Sequence, residues 1–348
     1  MARISSSELC DGKEKGVHVL DFRTGSGFNF LVVPDRGMDI AFAEYKGHNL
    51  AWMSGTGIVA PAYYEPEGWN WSRGFFGGLL TTCGLLHVGI PDTYKGEPIG
   101  AHGRVSYTPA RNVSHAAEWS ADGCRLSAAG EMHDIRPSLY SLLLRRRIEA
   151  EAGGKSLRIH DTVINSGCTR TPHQIIYHIN AGFPILSAVS RLVAPSRKVT
   201  PRESVAAEGA KDYHLCEAPA AEYREKVYYH DMAPCSDGRV WVALVNSALG
   251  DGLGLYVKYA PENLPRMIQW KMMGEGTYVM GMEPSNSYGT GMAHVEKLGS
   301  LRQLEAGEQV EYRLEIGVLE GREEIAAFEA EVARAKPAPT IIAPPLLP

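Results

Sequence analysis

Two residues of this chain are suited to acid–base chemistry and sit in unusual company. His178 falls in His173-Gln-Ile-Ile-Tyr-His-Ile-Asn180 and Glu283 in Tyr278-Val-Met-Gly-Met-Glu-Pro284. Each is one proton-transfer group in an otherwise apolar, strand-like run. A His and a Glu offered by two strands of one sheet would suffice to move protons on a neutral polar substrate. On a strand, Gln174, Ile176, His178 and Asn180 share one face, and Ile175, Tyr177 and Ile179 share the other. Such a polar row suits a cleft or a solvent-facing strand equally. Glu283 shares its face with Val279 and Gly281, and a glycine there leaves room beside a carboxylate for a ligand or another backbone. Pro284 is expected to end the strand just after Glu283.

Further candidates are weaker alone. In Gly100-Ala-His102-Gly103-Arg104, a His and an Arg flank a glycine, and the guanidinium is a fan of donors suited to oxygen-rich ligands. Arg73 opens a Gly-rich run to Gly84 that has neither dinucleotide nor P-loop spacing. Trp270 and the pair Trp69 and Trp71 are flat apolar surfaces fit to stack on a sugar ring or to fill a core. No G-x-S-x-G occurs. The remaining histidines and the six cysteines show no metal-ligand spacing, so neither metal nor organic cofactor is expected.

The 348 residues are 44% hydrophobic and 22% charged, with formal net charge -5, which allows a large core and excludes a nucleic-acid partner. Arg145-Arg146-Arg147 lies in a strand-like run and reads as a sheet face. No run approaches the ~18 apolar residues of a membrane span, and the first residues are too polar for a signal peptide. A cytoplasmic protein with reduced thiols is the expectation.

The elements that must position these residues read as strands. Val17–Phe22 and Phe28–Val33 flank Thr24-Gly-Ser-Gly27, a hairpin signal. Further strands are expected at 39–45, 103–108, 113–119, 124–131, 139–150, 155–165, 172–180, 223–230, 239–246, 252–259, 266–272, 277–283 and 309–319. This rhythm predicts two large stacked antiparallel sheets, an all-β fold in one domain over residues 1–320. One segment, 322–336, reads as a helix, with Ile325, Phe328 and Val332 on one face and Pro337 as its stop. The Pro-rich tail to 348 is expected to be extended and to pack on this subunit or on a neighbour. The non-periodic stretch 61–73 reads as a long loop that lines a site or caps the core. Edge strands and the apolar tail leave a homodimer open.

Taken in order, Arg73-Gly-Phe-Phe-Gly-Gly78, Thr82-Cys-Gly84, His102-Gly-Arg104, Tyr177-His-Ile-Asn180, Leu192-Val-Ala-Pro195 and Gly281-Met-Glu-Pro284 resemble the aldose 1-epimerase (galactose mutarotase-like) superfamily, nearest to a largely uncharacterised branch. The resemblance spans residues 15 to 320. It implies a large antiparallel β-supersandwich and a sugar or sugar derivative as ligand. It implies His178 as general acid, Glu283 as general base, and His102 with Arg73 or Arg104 as substrate contacts. Asn180, Trp270 and Lys271 are further binding candidates, and Arg73, Arg104 and Lys271 leave an anionic substrate open. The Asp that binds sugar hydroxyls in such proteins has no clear counterpart; Asp231 and Asp237 are candidates. Glu283-Pro284-Ser285 departs from the family's Glu-Pro-Gln. Anomer interconversion is the leading expectation. The alternatives are isomerisation or elimination at another carbon, or sugar binding without turnover.

Overall fold

The computed structural model describes residues 2–347 except 122, 337 and 339. Three sheets, antiparallel but for one edge pair, carry most of the described strands. An eight-stranded sheet runs in the order Arg111–Ser120, Gly123–Arg136, Tyr140–Glu151, Ser156–Asn165, Gln309–Glu320, Leu253–Tyr259, Val240–Asn246 and Arg191–Val193. A seven-stranded sheet runs Ile341–Ile342, Ser196–Pro201, Lys226–Met232, Arg266–Gly274, Thr277–Ser285, Gln174–Ala181 and Thr81–Leu85. A five-stranded sheet holds the N-terminal hairpin, His18–Arg23 with Phe28–Val33.

Alternation builds the core between the layers. In Tyr140–Glu151, Leu142, Leu144, Arg146, Ile148 and Ala150 are buried, while Arg145 and Arg147 are exposed. The facing strand Gln174–Ala181 sends Ile175, Tyr177 and Ile179 into the same apolar cluster. Ile176, on its other face, joins a second cluster with Trp71, Val227, Tyr229 and Ile268. Both faces of this strand are therefore covered, which is why all eight of its residues are buried.

The two large sheets expected are present, and a five-stranded sheet accompanies them. Several expectations are corrected. Residues 103–108 form no strand; Val105–Tyr107 is a 3-10 turn. Gly103 has φ +72, and a Cβ there would meet Gly84 O at 2.3 Å, so the chain is bent against the neighbouring strand instead of extending beside it. The strand expected at 223–230 runs Lys226–Met232. Pro284 does not end its strand, which continues to Ser285. Two short helices, Ser204–Glu208 and Met292–Lys297, join the C-terminal one.

That C-terminal helix, Gly321–Ala335, buries Ile325, Phe328 and Val332 against Val193, Ala243, Val245 and Tyr256. The tail beyond it packs on this chain. Ile341–Ile342 pairs in parallel with Lys198 and Val199, and the Leu346 and Leu347 amides donate to Pro201 O and Arg202 O. Among the described residues no helix is long and apolar enough to cross a membrane.

Candidate active site

Sheet register brings His178 and Glu283 together. Ile176 pairs with Ser285 and Ile179 with Met282, and that register sets Glu283 directly opposite His178. Same-face side chains at such positions are nearest neighbours across strands. Pro284, without an N–H, lies where the bonded pairs between the two strands are interrupted. His178 Nε2 stands 3.3 Å from Glu283 Oε1, with both side chains almost fully buried. Gly281 makes the room. A Cβ there would lie 2.3 Å from Glu283 Oε1 and 2.9 Å from Trp270 Cβ, so only glycine lets this carboxylate lie along the strand.

A cleft of about 240 Å³ opens above the pair. Its aromatic wall comes from the loop read over 61–73 and the residues after it: Trp69, Trp71 and Phe75. Trp270, Tyr229 and Tyr288 also line it, Trp270 with its ring 6.3 Å from that of Phe75. The Phe75, Trp270 and His102 rings lie 5.2, 5.4 and 5.9 Å from the His178 ring, edge-on. His102 sits at φ +56 with its ring 4.6 Å from that of Trp71. Strand alternation put Ile176 and His178 on this face, and likewise Val227 with Tyr229 and Ile268 with Trp270.

The electrostatics are those of a dry site. Burial pushes the His178 imidazole down to about 4, against the opposing effect of its bond to Asn180. Burial pushes the Glu283 carboxyl well up, with the Glu225 charge acting the same way. Burial and the nearby His178 and His87 push His102 well below the usual histidine range. Three buried polar atoms on the cleft lining have no partner: Glu283 Oε1, His102 Nδ1 and Trp71 Nε1. Buried polar groups are ordinarily satisfied, so this set describes a place for a ligand rich in donors and acceptors.

Other candidates lie elsewhere. Arg73 is exposed, bonded to Asn70 and 3.7 Å from Glu65. Arg104 lies over the Tyr64 ring and lines a separate cavity. Lys271 follows Trp270 and so points to the opposite face, where it pairs with Glu217 at 2.9 Å. Asn180 shares the His178 face, but it sits behind the ring and bonds Nδ1 instead of lining the cleft. Asp231 is exposed, and Asp237 lies in the turn before Val240–Asn246, bonded to Arg239 and Trp241. Of the sequence candidates, His178, Glu283, His102 and Trp270 converge on the cleft, joined by Trp69 and Trp71.

The cleft also holds Arg202 and Glu225, which the sequence pattern did not single out. Glu225 accepts from Trp270 Nε1 at 2.8 Å and from Arg202 at 2.7 Å, and Arg202 also forks onto Glu203. Glu225 precedes Val227 and Tyr229 by even steps, so the period of two was the available signal.

This architecture is that of the galactose mutarotase-like proteins. A protein from Klebsiella pneumoniae, provisionally named an aldose 1-epimerase, superposes with TM-score 0.92 at 26% identity, over 98% of this chain and 89% of that one. A galactose mutarotase-like protein from Clostridium acetobutylicum gives 0.60 at 12%, over 91% and 98%. The galactose 1-epimerase of Lactobacillus acidophilus gives 0.60 at 12%, over 92% and 100%. By sequence the chain belongs to the family described as a domain of unknown function (DUF4432), which matches residues 14–318. No curated protein matches it at a significant level.

Proposed function

We propose that this protein interconverts the α and β anomers of an uncharged aldose by opening and reclosing its ring. The observation that carries the reading is the His178–Glu283 pair, 3.3 Å apart and buried at the base of an aromatic cleft. Ring opening needs one group to take the proton of the anomeric hydroxyl and another to protonate the ring oxygen. Two proton-transfer groups side by side on one face can serve two oxygens bound to the same carbon. The aromatic wall suits the apolar face of a pyranose, and the unpartnered atoms of His102 and Trp71 suit its hydroxyls. The names of the Klebsiella and Lactobacillus proteins point the same way.

The cleft's charge favours a neutral substrate. Arg202, its lining guanidinium, is already engaged by Glu203 and Glu225. Arg73, Arg104 and Lys271, which left an anionic group open, all lie outside it. An anion would enter beside Glu225 and Glu283 with no free cation there among the described residues.

The deciding experiment is an anomer-exchange NMR screen over neutral and acidic sugars in deuterated buffer. Exchange well above the buffer rate for neutral sugars, without deuterium at carbon, is expected. Deuterium at carbon would replace mutarotation with epimerisation or elimination, and sugar binding without faster exchange would leave a binding protein.

A further inference from the structure

We propose a second ligand site, a cavity separate from the cleft that takes a small hydroxylated anion: a carboxylate or a phosphate ester whose charge meets Arg104 and whose hydroxyl meets Asp134. The site stands independently of the anomerase function.

The cavity holds about 330 Å³, against about 240 Å³ for the cleft, and falls in the range of small-molecule sites. Tyr64, Tyr94 and Tyr140 line it, with Leu86, Ile99 and Met292, whereas His178 and Glu283 do not. Local structure delivers its polar groups. In the strand Gly123–Arg136, Asp134 and Arg136 are two residues apart and share a face. Arg136 pairs with Tyr140 in the next strand, and the Tyr140 hydroxyl stands 3.1 Å from Asp134 Oδ1. Gly103, at φ +72, turns the chain just before Arg104, whose guanidinium lies 5.3 Å from the centre of the Tyr64 ring.

Asp134 is 5% exposed. Tyr140 satisfies Oδ1, and Oδ2 has no partner. The Leu85 amide acts on this carboxyl without a hydrogen bond to Oδ2. A buried carboxyl oxygen left bare is unusual and favours any group that brings it a hydrogen bond. A hydroxyl both donates and accepts, so it serves Oδ2 whether the carboxyl is ionised or protonated.

The cations of the lining are unequally spent. Arg136 donates to Glu97 at 3.2 Å, and Arg170 pairs with Glu305 at 3.1 Å. Lys95 lies over the Tyr94 ring. Arg104 is exposed, and among the described residues its guanidinium makes neither a hydrogen bond nor an ion pair. A planar fork of donors without an acceptor thus stands near a buried acceptor without a donor. Arg104 acts on Asp134 through its charge, yet no ion pair joins them. A ligand with negative charge for one and a hydroxyl for the other satisfies both, and Lys95 and Arg136 add positive charge to the lining. The cleft differs, since its guanidinium, Arg202, is held by Glu203 and Glu225.

The two sites share a short stretch of chain. Gly100, Gly103 and Arg104 line the cavity, and His102 between them lines the cleft. Binding at one is therefore told from binding at the other by a variant in each and by ligands that the cleft has no means to turn over.

The test uses the full chain and isothermal titration calorimetry with D-gluconate and D-glucitol 6-phosphate, open-chain anions with no anomeric carbon. Glucitol supplies the hydroxyls without the charge; butyrate and inorganic phosphate supply the charge without the hydroxyls. At least one hydroxylated anion should bind about tenfold tighter than all three references, the loss expected when a charged or buried hydrogen-bonding partner is missing. The tighter of the two names the anionic group. Arg104→Ala, an exposed change, should weaken that binding by about tenfold or more, and Asp134→Ala should erase the preference over the hydroxyl-free anion. Glu283→Gln, in the cleft, should leave the affinity within about twofold. Should Asp134→Ala fail to fold, Arg104→Ala and the reference ligands still decide. A crystal of the complex should show the anionic group on Arg104 and a hydroxyl on Asp134 Oδ2. The proposal is overturned if neither anion binds, if glucitol or inorganic phosphate binds equally well, if Arg104→Ala leaves the affinity untouched, or if Glu283→Gln abolishes it. None of these readouts uses anomer exchange, so this site and the anomerase function fail separately.

Discussion

The strand Gln174–Ala181 has two faces that treat buried polar groups in opposite ways. Toward the eight-stranded sheet, Tyr177 donates to Asp161 at 2.7 Å, and Arg146 forks onto Asp161 while reaching Asp39 and Thr82. Arg146, Asp39 and Asp161 are completely shielded, and among their polar side-chain atoms only Asp39 Oδ2 lacks a partner. One residue further on, His178 faces the cleft, where Glu283, His102 and Trp71 each leave an atom unpaired. Satisfied polar groups fix how the two sheets stack. Unsatisfied ones in a cleft keep their bonding capacity for a ligand.

Breaking the cleft face should cost the most. Glu283→Gln and His178→Asn should each lower anomer exchange by about 10²–10⁴-fold with sugar binding largely kept. Full activity in either variant would detach the pair from the chemistry. Breaking the internal face should leave chemistry in whatever folds but cost stability. Arg146→Met strands Asp39 and Asp161 and should destabilise by about 3–5 kcal/mol in urea unfolding. A loss under about 1 kcal/mol would mean that the cluster is not the fastening described.

Acid should sharpen the contrast. Burial lowers His173, His178 and His230 to about 4 each. These folded values lie below the ordinary ~6.5, so the folded chain binds these protons less tightly than the unfolded one. The stability they contribute is complete above about pH 6.5 and is lost as pH falls toward 4, on the order of 3 kcal/mol for each histidine. Urea midpoints at pH 7.5 and 4.5 test this. His173 and His230 are tied into the interior through Tyr312 and Ser196, whereas His178 belongs to the cleft. His178→Asn should therefore recover part of the acid loss and none of the rest.

Gly281→Ala should lower kcat by about tenfold or more by displacing the Glu283 carboxylate, a shift of about 1.4 kcal/mol in the barrier. Thermal unfolding should confirm that the fold survives. The smallest effect belongs to Arg73→Ala and Arg104→Ala, outside the cleft, each expected within about twofold in kcat/KM. A larger loss would extend the site beyond the cleft.

Much of this was legible in the chain. Alternation assigned Ile175, Tyr177 and Ile179 to one face and His178 to the other, because side chains on a strand reverse at every residue. It identified Gly281 as space beside Glu283, and helical spacing outlined the helix that ends in Ala335. The strand pattern erred at 103–108, where Gly103 bends the chain tightly against Gly84. The same alternation separates Trp270 from Lys271, but only the stacked layers show which of the two faces the cleft. Residue types and face parity are local properties, so the chain carries them without its fold. The register that puts Glu283 opposite His178, the loop that carries Trp71 over them and the even-step row that brings Glu225 to Arg202 join segments far apart in the chain. Inter-strand hydrogen bonds and sheet packing set those meetings, so they arise only on folding.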